Sequence, residues 1–324
     1  MTEGRFANTN RESWGQIAQD VQDERLEDGE NTAKNYIKVN NDLSFARTFY
    51  PESGVSNYIN SVAAKLHTAI HSNEITPWRD IAKFWRYYIP SASYTIRKYI
   101  LSALIIFTLG VAIGFGTSEI DPDFPRAVMG DGYVNMTEEN IRQDKPMDVY
   151  SSMESDYMFV AITTNNIRVS FLAFVAGMLF SIGSAIILLS NAVMLGSFHH
   201  IFYEYGILLE SMKTVYVHGA FEISAIVVAG GAGMALGASF MFPGTYSRTR
   251  SFLRGAKSAA SVIVGLLPVF MIAGFLESYV TRYTNMPDWL FAVIIFGSLI
   301  VFWWYFFAYP YKLKQKGKIE ELAY

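Results

Sequence analysis

Five apolar stretches fill the chain from position 99 onward, at about 99–115, 167–190, 219–242, 259–280 and 289–309. Each is close to the ~20 apolar residues that a helix needs to cross a bilayer. Lipid cannot satisfy bare backbone, so helices are expected throughout. Ahead of them, residues 1–95 repeat their apolar positions with a helical period. Asn10 reads as an N-cap ahead of Trp14, Ile17 and Val21. A second helix is expected over 32–49, stopped by Pro51, and a third over 56–70, with Tyr58, Val62, Leu66, Ala69 and Ile70 on one face. Between Pro77 and Pro90, Trp78, Ile81, Trp85 and Tyr88 fall on one side of a helix and Arg79, Lys83 and Arg86 on the other. That is the pattern of a helix lying in the headgroup plane; a core helix of the preceding module is the alternative.

Charge then sets the number of crossings. Arg97 and Lys98 precede the first span, so its start is expected in the cytoplasm. Two later basic segments, Arg248 to Lys257 and Lys312 to Lys318, should lie on the same side. Five spans alone would put both outside; a sixth crossing over 191–218 repairs them. That segment is too polar to face lipid and is expected as a bundle-interior or broken helix, the rival being a re-entrant hairpin with five crossings. The fold expected is therefore all-α: a polytopic membrane protein of about six transmembrane helices, with both termini cytoplasmic. A soluble helical module occupies 1–76, an interfacial helix 77–95, the transmembrane domain 96–310 and a basic tail 311–324. Residues 118–156 form an acidic outer loop, either an ordered cap or a flap.

Composition narrows the function. The chain has 324 residues, 51% of them hydrophobic, and a formal net charge of −3. There is no basic surplus to suit nucleic acid. Cysteine is absent, which excludes disulfides and thiolate-bound metal. Residues 1–30 are polar, so the span near Tyr99 is expected to serve as the insertion signal. No phosphate-binding glycine loop, His-Glu-x-x-His pair or Gly-x-Ser-x-Gly elbow occurs. No catalytic residue, metal site or cofactor is assigned.

Polar residues at membrane depth need a reason, since each costs at least ~2.5 kcal/mol near a helix centre. Glu210, Thr214, His218 and Glu222 recur every fourth residue and form one stripe if their helix is continuous; Gly219 is the point where it could break. Arg168, His218, Glu222 and Glu277 fall at one depth and are expected to form a neutralised cluster, with snorkelling or helix registration as the plainer reading. Ala229, Gly233 and Gly237 belong to a small-residue ridge that suits close helix contact, within the chain or in a homodimer. Asn191 is expected to cap or turn the chain at the inner face, and Gly196 to allow close approach. His200 and Glu204 make only a weak metal pair.

Several of these residues carry a family resemblance. The segments Asn165-Asn166-Ile167-Arg168-Val169, Phe174-Val175-Ala176-Gly177-Met178, Ser190-Asn191-Ala192-Val193-Met194-Leu195-Gly196, Val217-His218-Gly219-Ala220-Phe221-Glu222-Ile223-Ser224-Ala225 and Ala273-Gly274-Phe275-Leu276-Glu277 resemble the stage II sporulation protein M family. Asp42 to Pro51 is similar to its larger, non-sporulating branch; Ala192 stands where many relatives have glycine. The resemblance implies a bacterial inner-membrane protein in which His218, Glu222 and Glu277 share one motif. The founding members act with peptidoglycan-remodelling proteins; the sporulation role is not carried over. Three readings follow: a non-enzymatic component of an envelope-associated complex, a permease-like subunit working with a separate ATPase, or an intramembrane enzyme using His218 and Glu222. The partners expected are membrane lipids and other membrane or envelope proteins.

Overall fold

The computed structural model describes residues 2–23, 29–71, 81–146, 154–281 and 286–319. The chain divides into two compact units, Met1–Asp80 and Ile81–Tyr324, and every described element is helical.

The first unit holds α1 (Glu3–Gln22), α2 (Gly29–Phe49) and α3 (Gly54–His71) around Trp14, Val39, Leu43, Ile59 and Leu66. Trp14 is buried because its indole N–H finds a partner, Asp42 Oδ2, at 2.8 Å. Asn10 caps nothing: α1 starts at Glu3, and Asn10 donates back to the Phe6 carbonyl one turn earlier. On α3 the buried face is Ile59, Val62, Ala63 and Leu66, whereas Tyr58 and Ile70 are exposed.

The second unit contains six helices long and apolar enough to span a bilayer. They are α4 (Ile81–Ile120), α7 (Ser155–Met178), α8 (Ile182–Glu204), α9 (Leu208–Met241), α10 (Arg248–Val280) and α11 (Asp288–Gln315). Between α4 and α7 lie two short helices, α5 (Phe124–Met129) and α6 (Asp131–Arg142). Six crossings were expected, but their bounds differ. The apolar stretch 167–190 is not one span. The chain reverses inside it, with Phe180 and Ser181 at positive φ (53° and 66°). Left-handed backbone costs a non-glycine residue roughly 1–2 kcal/mol; here Ser181 Oγ donates to the Met234 carbonyl at 2.7 Å and Ser184 Oγ to that of Ala173 at 2.5 Å, tying the turn to its neighbours. The third crossing is therefore 182–204, and Asn191 sits in mid-helix, donating to the Ile187 carbonyl at 2.8 Å rather than capping a turn.

The amphipathic segment expected as a separate interfacial helix is continuous with the first span from Ile81 onward; Trp78 lies outside the described residues. Pro90 does not end the helix. The backbone passes through a π-turn at Phe84–Tyr88, in which the Ile89 N–H reaches back to Phe84 and leaves the Trp85 carbonyl unclaimed. Pro90 has no N–H for the Arg86 carbonyl. Two tyrosines of α11 supply what is missing: Tyr305 OH donates to Trp85 O at 2.6 Å and Tyr309 OH to Arg86 O at 3.3 Å. Trp85 is partly buried against the bundle, while Ile81 and Tyr88 are exposed.

α9 is the hub, the most deeply buried of the six spans. Small residues let the others approach it: a Cβ on Gly231 would stand 2.7 Å from Ile100 Cα, and one on Gly237 would collide with the Gly177 carbonyl. Gly233 faces the Ala173 and Phe174 carbonyls in the same way. The ridge of Ala229, Gly233 and Gly237 is buried inside one chain, so it offers no surface to a second copy. Gly196 likewise lies against the Val111 backbone where α8 crosses α4. Within the acidic loop 118–156, the described residues 118–146 form a cap: Val134 and Met129 pack on Ile201 and Phe202 at the end of α8.

Candidate functional site

On α9 the residues Thr214, His218 and Glu222 follow one another at four-residue intervals along an unbroken helix; Gly219 does not interrupt it. α10 approaches from the other side and changes register as it does so. Leu276–Val280 form a π-turn, closed by the Thr281 N–H to the Leu276 carbonyl at 2.8 Å. Such bulges redirect side chains and recur at functional positions. Here the turn carries Glu277 against His218 and Glu222. One ligand atom from each of the three lies within 4.8 Å of the others. The His218 side chain is 5% exposed and that of Glu277 12%, and Nε2 of the first stands 3.8 Å from Oε1 of the second.

The imidazole is oriented by Thr281. The threonine hydroxyl donates to the Leu276 carbonyl at 3.1 Å, so its oxygen accepts from His218 Nδ1 at 3.2 Å. That fixes the tautomer: the proton sits on Nδ1, and Nε2 turns its lone pair toward the carboxylates.

Arg168 does not join them. The face of α7 that meets the site carries Thr163, Asn166 and Ser170, all buried, and Arg168 lies on the opposite, exposed side with no partner among the described residues. Glu210 is separate too. It lies exposed in the first turn of α9, twelve residues or ~18 Å from Glu222. There it lines a cleft of about 390 Å³ whose wall includes Thr214 and the Lys213–Asp288 ion pair at 2.6 Å. The sequence reading missed Thr163, Asn166, Ser278 and Thr281. The signal for the α7 pair was there: polar residues at 163, 166 and 170 recur at helical spacing within an otherwise apolar span.

Several of these groups lack protein partners. Thr163 Oγ1, Asn166 Nδ2, Ser170 Oγ and Ser278 Oγ are buried without a hydrogen bond among the described residues. Asn166 lies beside the Glu222 carboxylate, yet its amide nitrogen finds no good acceptor geometry. Buried polar groups are normally satisfied, and such a concentration is unusual. The cap reaches this end of the bundle as well: burial, and then the charge of Glu277, push the Tyr133 phenol above its ordinary 10.0.

The two adjacent histidines have different partners, as their ~100° separation on a helix requires. His200 Nε2 meets Glu119 Oε2 of α4 at 2.9 Å, and Glu204 is exposed, so the His200–Glu204 pair does not form. His199 stacks on Tyr216 with centroids 5.7 Å apart.

Comparison with known proteins adds one family assignment for each unit. A domain of unknown function (DUF8413) matches residues 4–72. No curated protein and no solved structure matches the chain. The second match, stage II sporulation protein M, covers residues 100–282, more than half of the chain and all three members of the His–Glu–Glu group. With six membrane-length helices among the described residues, the chain belongs to the stage II sporulation protein M family and is a multi-pass membrane protein.

Proposed function

We propose that this protein is a non-enzymatic component of a multiprotein complex in the bacterial cytoplasmic membrane, docked to a different membrane protein through the outer face of α7. The observation that carries this reading is Arg168. It lies ten residues, ~15 Å, from Met178 at the end of α7, about half the hydrocarbon thickness. It is exposed there beside Thr164 and Asn165. An arginine facing acyl chains at that depth costs about 2.5–3.5 kcal/mol on insertion scales. A partner helix bearing a carboxylate at matching depth removes that cost. A two-fold dimer built on this face would bring two Arg168 side chains together, which favours a different protein as occupant over a second copy.

The permease-like alternative gains less. The glycine-rich half of α9 is closed by glycine-to-backbone contacts on several sides, which leaves no room for a solute path beside it. By the positive-inside rule the end carrying Arg248, Arg250, Arg254 and Lys312 faces the cytoplasm, and the acidic cap faces outward. The N-terminal helical unit and the cap are then further docking surfaces on the two sides.

The absence of cysteine makes the test direct. Cysteines at Thr164 or Asn165, cross-linked in cells, should join the chain to another membrane protein whose contacting helix carries Asp or Glu within a turn of the cross-link. Arg168→Leu should abolish that product while the purified chain keeps its thermal unfolding. Cross-links only to a second copy, or an undiminished product in Arg168→Leu, would overturn the reading.

A further inference from the structure

The His–Glu–Glu group has a charge problem that the partner reading does not touch. Two carboxylates held this close and largely shielded from water cannot both remain ionised without compensation. Arg168 is turned away, and among the described residues no cation takes its place. His218 Nε2 and Glu277 Oε1 are 3.8 Å apart, too long to share a proton well. That separation suits two ligands on one ion, each about 2.0–2.2 Å from its centre. The tautomer set by Thr281 directs the imidazole lone pair inward, as a ligand requires, with its other nitrogen oriented by the threonine hydroxyl. Asn166, 5% exposed and with its Nδ2 unsatisfied, stands beside Glu222, where the oxygen of an ion-bound water would accept from that nitrogen.

We infer that His218, Glu222 and Glu277 bind a single first-row divalent cation, of the zinc or manganese class, reached from the polar cleft at the acidic end by way of Glu210 and Thr214. One neutral imidazole and two carboxylates balance a divalent charge and leave open coordination positions. Calcium and magnesium fit less well, because both prefer all-oxygen shells. The stripe of Glu210, Thr214, His218 and Glu222 then has a physical sense: an acidic mouth, a hydroxyl one turn down, and the ligands below it. This inference is independent of the docking role of Arg168, and either can fail alone.

The test uses the full chain in lipid nanodiscs, stripped with chelator and titrated with Zn²⁺ or Mn²⁺. One equivalent should bind per chain and raise the thermal unfolding midpoint. His218→Gln, Glu222→Gln and Glu277→Gln should each weaken binding at least tenfold and remove the midpoint shift, whereas Glu204→Gln, at the exposed end of α8, should leave both unchanged. Should a variant fail to fold, X-ray absorption on the zinc-loaded wild type decides: it should show one imidazole and oxygen ligands. Substoichiometric binding, an oxygen-only shell, or undiminished binding by folded Glu222→Gln and Glu277→Gln would overturn the inference.

Discussion

Tyr305 shows how much one hydroxyl can do in a membrane. The stray Trp85 carbonyl is half-buried against the bundle, and the Tyr305 hydroxyl covers it at 2.6 Å. Tyr305→Phe keeps the ring and removes the bond. The expected loss is about 0.5–1.5 kcal/mol, the net contribution of a hydrogen bond to a half-buried acceptor, read as a lower unfolding midpoint in detergent. The same reasoning explains what could be read at single positions and what could not. His218, Glu222 and Glu277 stood out as charge-bearing residues in apolar runs, and the structure brings them together. Arg168 stood out by the same rule but lies elsewhere, because depth along a helix is legible from sequence and azimuth depends on which neighbour covers which face. Asn166 holds the azimuth that Arg168 was expected to hold.

Helix by helix, apolar length identified most spans, yet the turn at Phe180–Ser181 was invisible. It contains neither glycine nor proline, the residues that ordinarily announce a reversal. Its cost is met by tertiary bonds from Ser181 and Ser184, which no local pattern encodes. The first span was misread in the opposite direction: Pro90 announced a stop, but a π-turn and two distant tyrosines carry the helix through it. The glycines of α9 were legible as a ridge, and their role follows from backbone contact. Gly233→Ala would press a methyl group 2.8 Å from the Phe174 carbonyl and closer still to Ser184, so α9 must shift. A loss of about 1–3 kcal/mol is expected from such overpacking. Gly116→Ala on α4 meets nothing within 4 Å and should be neutral or stabilising by up to about 1 kcal/mol, as alanine favours helix. The difference between the two unfolding midpoints checks the close approach.

Across the bundle, six crossings put the starts of α4 and α10 and the end of α11 at one end, with their lysines and arginines, and put the cap at the other. In the orientation proposed above, from positive-inside bias, the basic end is cytoplasmic. A cysteine at Gln315 in the otherwise cysteine-free chain should react with a membrane-impermeant maleimide only after the cells are opened; labelling of intact cells would reverse the orientation. The central position of α9 had no sequence signature beyond its small residues and its polar stripe. An interior helix and a lipid-facing helix are both apolar, and only the polar stripe and the small residues distinguish this one.

The clasp between Tyr305 and Trp85 also has a consequence for biogenesis. Of the six spans the ribosome delivers α4 first and α11 last, so the opening span must wait through the synthesis of some two hundred residues before its bare carbonyls are covered. During that interval the segment near Pro90 is bound to remain hydrated at the membrane surface or to lean on an insertion factor. The chain therefore matures only when its final helix arrives, and a product truncated before Tyr305 should be recognised by quality-control proteases through its beginning, not its broken end.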